Sequence, residues 1–426
     1  MMSENFFVKT FGCKTNQIES EYVIDLLKKN GLNKVENILK ADFCIVNSCT
    51  VTLEADKKVL KFISAVKKKN PDIKIILLGC FVQTHKDEIL SNVDIDIALG
   101  NQEKLKILDF INQDNKVINI SNIFETKEFI KYDVSKIERT RANLKIQDGC
   151  NNRCSYCIIP FARGNSRSNN LENIIKQINL LDKNNYKEVI LTGIHIGQWG
   201  LDLVPKKNFL DLIYEIEKTN IHRYRLGSLT PDEISDKLLD SLKKSSKFCH
   251  HFHLSLQSLC TKILKNMNRK YTQDQCMDLI EKIKDYFPDA FIGADIIVGF
   301  PDESYDDFIT TYNNIKKSKL SKVHVFPYSI RPNTLAKSMK NQIDQFEKHK
   351  RGKIIQELSD QKYNQFLDQN LETYQEIILE PKLSKEYKGY YQGVTCNYIN
   401  VLSPDYSTKP LKVLLKKKIN DKIIIE

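Results

Sequence analysis

The chain reads as an α/β protein in three parts: an N-terminal parallel-sheet domain, a central partial or full (β/α) barrel, and a small antiparallel β-barrel at the C-terminus. Three observations predict this. Strand-like and helix-like runs alternate over residues 5–99 and again over 144–328, which favours parallel strands joined by crossover helices. A polar stretch, Ser121 to Arg141, separates the two series. Beyond Asn370 the pattern changes to short β-rich runs divided by turn residues. The expected domains are therefore 1–120, 136–362 and 363–426.

In the first domain, Phe6–Phe11, Asp42–Asn47, Lys74–Leu78 and Ile95–Leu99 predict strands, with helices around Glu19–Lys29 and Glu54–Lys69. Each of the first three strands runs straight into a cysteine: Cys13, Cys49 and Cys80. The carboxyl ends of strands in an open parallel sheet gather at one rim, where ligands bind. Three thiols far apart in sequence are thus expected to meet. The second series places strands at Leu144–Gln147, Glu188–Thr192, Tyr224–Leu229, His251–Leu256, Phe291–Val298 and Val323–Tyr328, with amphipathic helices such as Leu171–Leu181 and Glu233–Leu242 between them. Gln342–Asn370 predicts a helix leading out. Five runs between Tyr374 and Ile425 then form the closing barrel.

Composition limits the class of function. With 426 residues, 41% hydrophobic and 28% charged, the chain is a multidomain globular protein and not a disordered one. It contains no run of about 18 apolar residues, so no membrane-spanning helix is expected. Met1–Gly12 shows no secretory pattern, and the expected location is the cytoplasm. Eleven cysteines in such a chain favour metal or redox chemistry over disulfides. The formal charge of +11 suits an anionic partner such as nucleic acid without requiring one.

The segment Asp148-Gly-Cys150-Asn-Asn-Arg-Cys154-Ser-Tyr-Cys157 has the spacing C-x3-C-x2-C. Three thiolates on one loop can each bind one iron of a cubane cluster and leave the fourth iron open to a cofactor. In a radical enzyme that open iron chelates the amino acid end of S-adenosylmethionine. Half of a zinc site is the competing reading, but the loop holds no fourth ligand. Tyr156 is placed to pack on the adenine or, equally, in the core. Arg163-Gly164 and Arg167-Ser168 either face a phosphate or form an exposed turn. Gly299, Pro301 and Glu303 end a strand and open a helix, and beside a cysteine loop they are expected to border the cofactor.

These motifs together resemble the methylthiotransferase family of radical S-adenosylmethionine enzymes over nearly the whole length. Phe11-Gly-Cys13-Lys-Thr-Asn16-Gln-Ile-Glu19-Ser20, Val46-Asn-Ser-Cys49-Thr-Val-Thr52 and Leu78-Gly-Cys80 are similar to its three opening motifs. Gln147 through Gly164, Leu191-Thr-Gly193, His253-Leu-Ser-Leu-Gln257-Ser258, Met267-Asn-Arg269 and Gly299-Phe-Pro301 resemble its barrel motifs. The tail is similar to the RNA-binding barrel called TRAM. The resemblance implies two 4Fe–4S clusters, an auxiliary one on Cys13, Cys49 and Cys80 and a radical-forming one on Cys150, Cys154 and Cys157, with S-adenosylmethionine as cofactor. It also implies that one S-adenosylmethionine methylates sulfur and a second yields the radical that opens an unactivated C–H bond.

Lys14, Glu19-Ser20 and the Val46–Thr52 run resemble the branch that acts on N6-threonylcarbamoyladenosine 37 of tRNA. The other branches act on isopentenyladenosine in tRNA or on a ribosomal protein. Gly193 is assigned to the cofactor, although Thr192-Gly193-Ile194 departs from the Gly-Gly-Glu common in radical enzymes. Lys416, Lys417 and Lys418 are candidate tRNA contacts or a solvated strand end. Cys44 reads as a core residue, and Cys249, Cys260, Cys276 and Cys396 have no ligand spacing. His195 and His253, at barrel strand ends, read as satisfied packed polar groups or, alternatively, as substrate contacts. A non-catalytic cluster-bearing RNA-binding sensor is the reading from another class.

Overall fold

A computed structural model describes residues 4–85, 93–113, 115–131 and 140–425; part of the expected polar linker therefore lies outside the described residues. The N-terminal strands Asn5–Thr10, Asn33–Lys34, Phe43–Ser48, Lys74–Gly79, Ile97–Leu99 and Val117–Asn119 form one six-stranded parallel sheet. In space the order is second, first, third, fourth, fifth, sixth. Phe43–Ser48 is buried at every position, as expected of a strand covered on both faces. The chain turns one way from the first strand and the other way from the third. A crevice therefore opens between their carboxyl ends, and Cys13 and Cys49 follow just those two strands.

Two helices flank this sheet. Leu53–Lys69 is capped by Thr52 Oγ1, which accepts from Ala55 N at 3.1 Å. The other, Lys14–Lys29, begins directly after Cys13 and so starts five residues before the sequence expectation. The short strands Asn33–Lys34 and Val117–Asn119 lack a hydrophobic run long enough to be read from sequence.

The central part has parallel strands at Arg141–Lys145, Glu188–Thr192, Arg223–Leu226, Ser228–Leu229, His251–Gln257, Phe291–Val298 and Lys322–Pro327. They make two sheets, of three and four strands. The break falls at Gly227, whose N–H donates to Leu191 O at 2.9 Å, so the expected strand Tyr224–Leu229 is two short ones. Among the described residues no ladder joins the last strand to the first, and the barrel is partial. Its core is aliphatic, with Trp199, Tyr224 and Phe252 fully enclosed.

Helix Gln345–Asn370 packs on the last barrel strand, where Ser359 Oγ bonds both Val323 N and Val323 O. It continues without a break past residue 362 into the tail. There five strands, Tyr374–Leu383, Tyr391–Thr395, Asn400–Ser403, Leu411–Ile419 and Lys422–Ile425, close into a barrel around Ile377, Leu379, Val401, Leu415 and Ile423. Arg223 and Arg225 anchor the tail by donating to the carbonyls of Val394, Thr395 and Cys396. Both also grip the buried Glu188, at 2.7 and 3.1 Å, and hold its carboxyl well below the usual range against the cost of burial.

Candidate active site

Cys150, Cys154 and Cys157 stand on the loop after the first barrel strand as half-buried free thiols. Cationic and N–H donors surround them. Arg269 Nη1 donates to Cys154 Sγ at 3.1 Å, Asn152 N donates to Cys150 Sγ at 3.4 Å, and His195 Nδ1 lies 3.6 Å from Cys150 Sγ. His195 also pairs with Glu233 at 2.5 Å. Burial pulls its imidazole down, but the bonds to Cys150 and Glu233 more than offset this and hold it at about 10. Burial, with Cys154 beside it, pushes the Cys157 thiol up to about 12. The loop is clipped to the Met267-Asn-Arg269 turn by Ser155 N to Met267 O at 3.1 Å and Asn268 Nδ2 to Arg153 O at 2.8 Å.

The other three thiols converge at the rim of the N-terminal sheet. Gly12 adopts φ +99°, and a Cβ there would lie 2.6 Å from Cys49 Cβ and 2.8 Å from Cys49 Sγ. Glycine therefore lets the Cys13 turn close on Cys49. Burial raises the Cys49 thiol to about 12, reinforced by the Cys80 and Cys13 thiols nearby. Asn101 Nδ2 donates to Ala162 O at 2.6 Å and lies 3.6 Å from Cys80 Sγ, tying this rim to the helix Ile159–Arg163.

A buried ionic clamp joins the two triplets. Glu19 meets Lys104 at 2.5 Å, Lys145 at 2.7 Å and Arg163 at 2.8 Å. Asp148 meets Lys145, Arg163 and Arg167 at 2.8, 3.1 and 3.6 Å. Burial alone would raise both acids, but these cations drive Glu19 and Asp148 well below the ordinary carboxylate range. Two carboxylates against four cations leave a surplus of positive charge. Burial works against the Arg163 guanidinium, but the groups around it, Cys80, Glu19 and Asp148, more than offset this and hold it well above its ordinary range. Arg163 and Arg167 are thus interior residues, neither phosphate contacts nor parts of an exposed turn. On the far side, Arg331 donates to Thr50 Oγ1 and pairs with Asp56, both at 2.6 Å.

Three cavities lie between these groups. One of about 130 Å³ is lined by Cys150, Cys154, Cys157, Tyr156, His195 and Gln257. Its neighbour, about 220 Å³ and mostly apolar, shares Tyr156, Cys157, Ile159 and Gln257 and adds Val51, Ile297 and Phe326. The largest, about 620 Å³, is bounded by Cys13, Lys14, Gly193, His253, Lys322 and Tyr398, and so by all three parts of the chain. It shares Ile159 and Ile194 with the cysteine-loop cavity.

Residues 144–315 match the Radical SAM superfamily, and residues 5–100 match the uncharacterized protein family UPF0004. The threonylcarbamoyladenosine tRNA methylthiotransferase of Bacillus subtilis (strain 168) is 38% identical over 96% of this chain and 93% of its own length. The chain belongs to the radical S-adenosylmethionine methylthiotransferase family. A tRNA-2-methylthio-N(6)-dimethylallyladenosine synthase of Clostridium tetani is 33% identical over 90% of this chain and 86% of its own. Among solved structures, a radical S-adenosylmethionine methyltransferase from Kitasatospora setae superposes with TM-score 0.57, covering 79% of this chain and 77% of that one. At 11% identity, that likeness concerns the fold alone.

The cofactors of this methylthiotransferase are S-adenosylmethionine and 4Fe–4S clusters, and the donor chemistry fits them. Each triplet offers three free thiols with cations at hand to offset thiolate charge. Among the described residues no three Cys, His, Asp or Glu close to the spacing of a single ion. Zinc needs such closeness, whereas the thiolates of a cubane each take a different iron and stand farther apart.

Of the other expected cofactor residues, Tyr156 lines two cavities, its ring edge-on to Phe300 at 6.4 Å, and Gly193 lines the largest. Gly299, Pro301 and Glu303 form a tight buried turn with partners of their own. The close approach that demands glycine at 299, where φ is +69°, is to Lys348, whose Cγ would lie 2.4 Å from a Cβ. Glu303 Oε1 accepts from Gly299 N at 2.9 Å and Arg351 Nη1 at 2.6 Å. Lys416 and Lys418 pair with Glu372 and Asp368, and Lys416 and Lys417 are exposed. Arg269 and Gln147, which the sequence placed only within motifs, and His195, read there as a packed polar group or a substrate contact, are contributors to the loop's surroundings. Gln147 Oε1 accepts from Ile194 N and His195 N at 3.0 and 2.7 Å and so shapes the Thr192-Gly193-Ile194 turn. Cys249 and Cys396 both sit at the barrel–tail seam, Cys249 Sγ 3.9 Å from Glu188 Oε2 and Cys396 Sγ 3.9 Å from Phe248 O, a placement their sequence spacing does not signal.

Proposed function

We propose that this protein adds a methylthio group to C2 of N6-threonylcarbamoyladenosine at position 37 of tRNA. In this reading Cys150, Cys154 and Cys157 hold the cluster that serves S-adenosylmethionine, and Cys13, Cys49 and Cys80 hold the auxiliary one. The observation that carries it is the 620 Å³ cavity, which has Cys13 on its wall and adjoins the cavity of the cysteine loop. The names and coverage of the Bacillus subtilis relative and of a second one, from Aquifex aeolicus and 36% identical over 85% of this chain, support the threonylcarbamoyl substrate.

When bound, the clusters and S-adenosylmethionine supply a 5′-deoxyadenosyl radical and the sulfur. The chain's own residues prepare the place. Arg269 and His195 offset the charge of the loop thiolates. Tyr156, Ile297 and Phe326 give the S-adenosylmethionine cavity apolar walls that keep water from a reactive species. Gln147 holds the 193–195 turn in place. The Glu19–Arg163 clamp fixes the separation of the two triplets, so that the carbon from which hydrogen is taken is also in reach of sulfur. An aromatic C–H has no acidic proton, and no general base is required.

No described helix is long and apolar enough to cross a membrane. A tRNA substrate goes with work in the cytoplasm. Nucleoside mass spectrometry of tRNA from a deletion strain tests the reading. The expected result is loss of 2-methylthio-N6-threonylcarbamoyladenosine with its unthiolated precursor retained. Persistence of the methylthiolated nucleoside, in a strain with no second enzyme of this type, contradicts it. Failure of the reduced, reconstituted protein to form 5′-deoxyadenosine from S-adenosylmethionine leaves the cluster-bearing sensor instead.

A further inference from the structure

The lining of the largest cavity is one-sided in charge. Its charged lining residues, Lys14 and Lys322, are both cations, and among the described lining residues there is no Asp or Glu; His251 and His324 also face it, and burial holds both imidazoles below their ordinary range. Below it, Arg225 lies 4.9 Å from the ring centre of Tyr398, and its carboxylate partner Glu188 is shared with Arg223. His253 is paired with Asp295 at 3.0 Å. Lys322 has only the Tyr363 ring, with Nζ 4.3 Å from its centre, among the contacts that face it. Lys14, Lys322 and His324 line this one cavity together. Lys14 alone would be explained as a counter-charge for the neighbouring Cys13. Lys322 lies on the last strand of the partial barrel, far in sequence from all six cysteines, and has no such explanation.

A cavity for a purely hydrocarbon substituent would not gather cations, because each costs desolvation with nothing in return. A carbamoyl-linked threonine ends in a carboxylate, and that group matches the lining. We propose that Lys322 and Lys14 bind the threonyl carboxylate of the modified adenosine and thereby select the N6 substituent. This assignment rests on the substrate reading above. The two lysines approach from different domains, Lys14 from the start of the first N-terminal helix and Lys322 from the barrel. Substrate charge therefore helps to hold the two halves of the site together.

The test is binding of anticodon stem–loops to the full-length protein, with adenosine 37 either plain, threonylcarbamoylated, or threonylcarbamoylated with the carboxylate methyl-esterified. The wild-type protein is expected to prefer the free acid to the ester by about tenfold or more, the usual worth of a charge-assisted hydrogen bond. Lys322→Met and Lys14→Met should each abolish most of that preference and leave affinity for the plain stem–loop within about twofold. Lys322→Arg should restore it. Equal loss on all three RNAs would mean that the lysines hold a tRNA phosphate, and an unchanged preference would mean that they hold nothing; either overturns the assignment. A wild-type protein that binds plain and threonylcarbamoylated stem–loops equally would instead count against the substrate reading itself.

Discussion

Cys150, Cys154 and Cys157 come from one short loop, whereas Cys13, Cys49 and Cys80 come from the ends of three strands. The first set is held by local turns and by two side chains from the barrel, Arg269 on the turn after the helix Thr261–Asn266 and His195 just beyond the strand Glu188–Thr192. The second is held by the sheet itself and by a buried network that reaches across to the barrel through Arg163. One triplet is thus preorganised by sequence proximity. The other exists only when its sheet is folded, and it is correctly spaced from the first only when the clamp is closed. Under the proposed function, this difference would separate generating a radical, within reach of the loop inside the barrel, from delivering sulfur, which needs two domains in register.

The largest effect expected from breaking this comparison is at the loop. Replacing Cys150, Cys154 and Cys157 together by Ala should abolish both 5′-deoxyadenosine formation and tRNA product, measured by chromatography and nucleoside mass spectrometry. Next is the clamp. Arg163→Ala removes the bidentate partner of the buried Glu19 but leaves Lys104 and Lys145 on it, and should cost about 1.5–3 kcal/mol in chemical denaturation. The folded pKa values of Glu19 and Asp148 are depressed, so their contribution is complete above the unfolded values of 4.5 and 3.8 and is lost as pH falls through the folded ones. The gap between wild type and variant should therefore be full at neutral pH and shrink in acid.

A smaller effect is expected at Arg269. A cation donating to Cys154 favours the more negative, reduced cluster, so Arg269→Gln should lower the loop cluster's potential by on the order of tens of mV, read by a redox titration followed by electron paramagnetic resonance. The auxiliary cluster's potential should not move. Smallest is the tail. Lys416 and Lys418 are engaged by acids, so Lys417→Ala should weaken tRNA binding modestly and reduce the salt slope of log Kd by roughly one.

The contiguous loop was legible in the sequence because its chemistry depends on spacing alone. Convergence of the other triplet was legible through strand ends, since Cys13, Cys49 and Cys80 each follow an apolar run in a βα series. The three-part fold followed from the same periodicities. The clamp was not legible: Glu19, Lys104, Lys145, Asp148 and Arg163 are charged residues from four separate segments, which pattern reading assigns to the surface. The turn at Gly299 was only partly legible for a related reason. A glycine at a strand end signals close approach, but not of what, and here it is Lys348. Cations lining one cavity from separate elements, such as Lys14 and Lys322, are likewise visible only once the domains are packed.

The claim that two cysteine sets hold two clusters with separate duties is tested most directly by the Cys13→Ala, Cys49→Ala, Cys80→Ala protein. After anaerobic reconstitution, iron per chain and 5′-deoxyadenosine formation are measured on the same sample. The account predicts about half the wild-type iron, 5′-deoxyadenosine still formed from S-adenosylmethionine, and no methylthiolated tRNA. Unchanged iron would contradict the second cluster, and loss of 5′-deoxyadenosine from a folded variant would contradict the division of labour between the two sets.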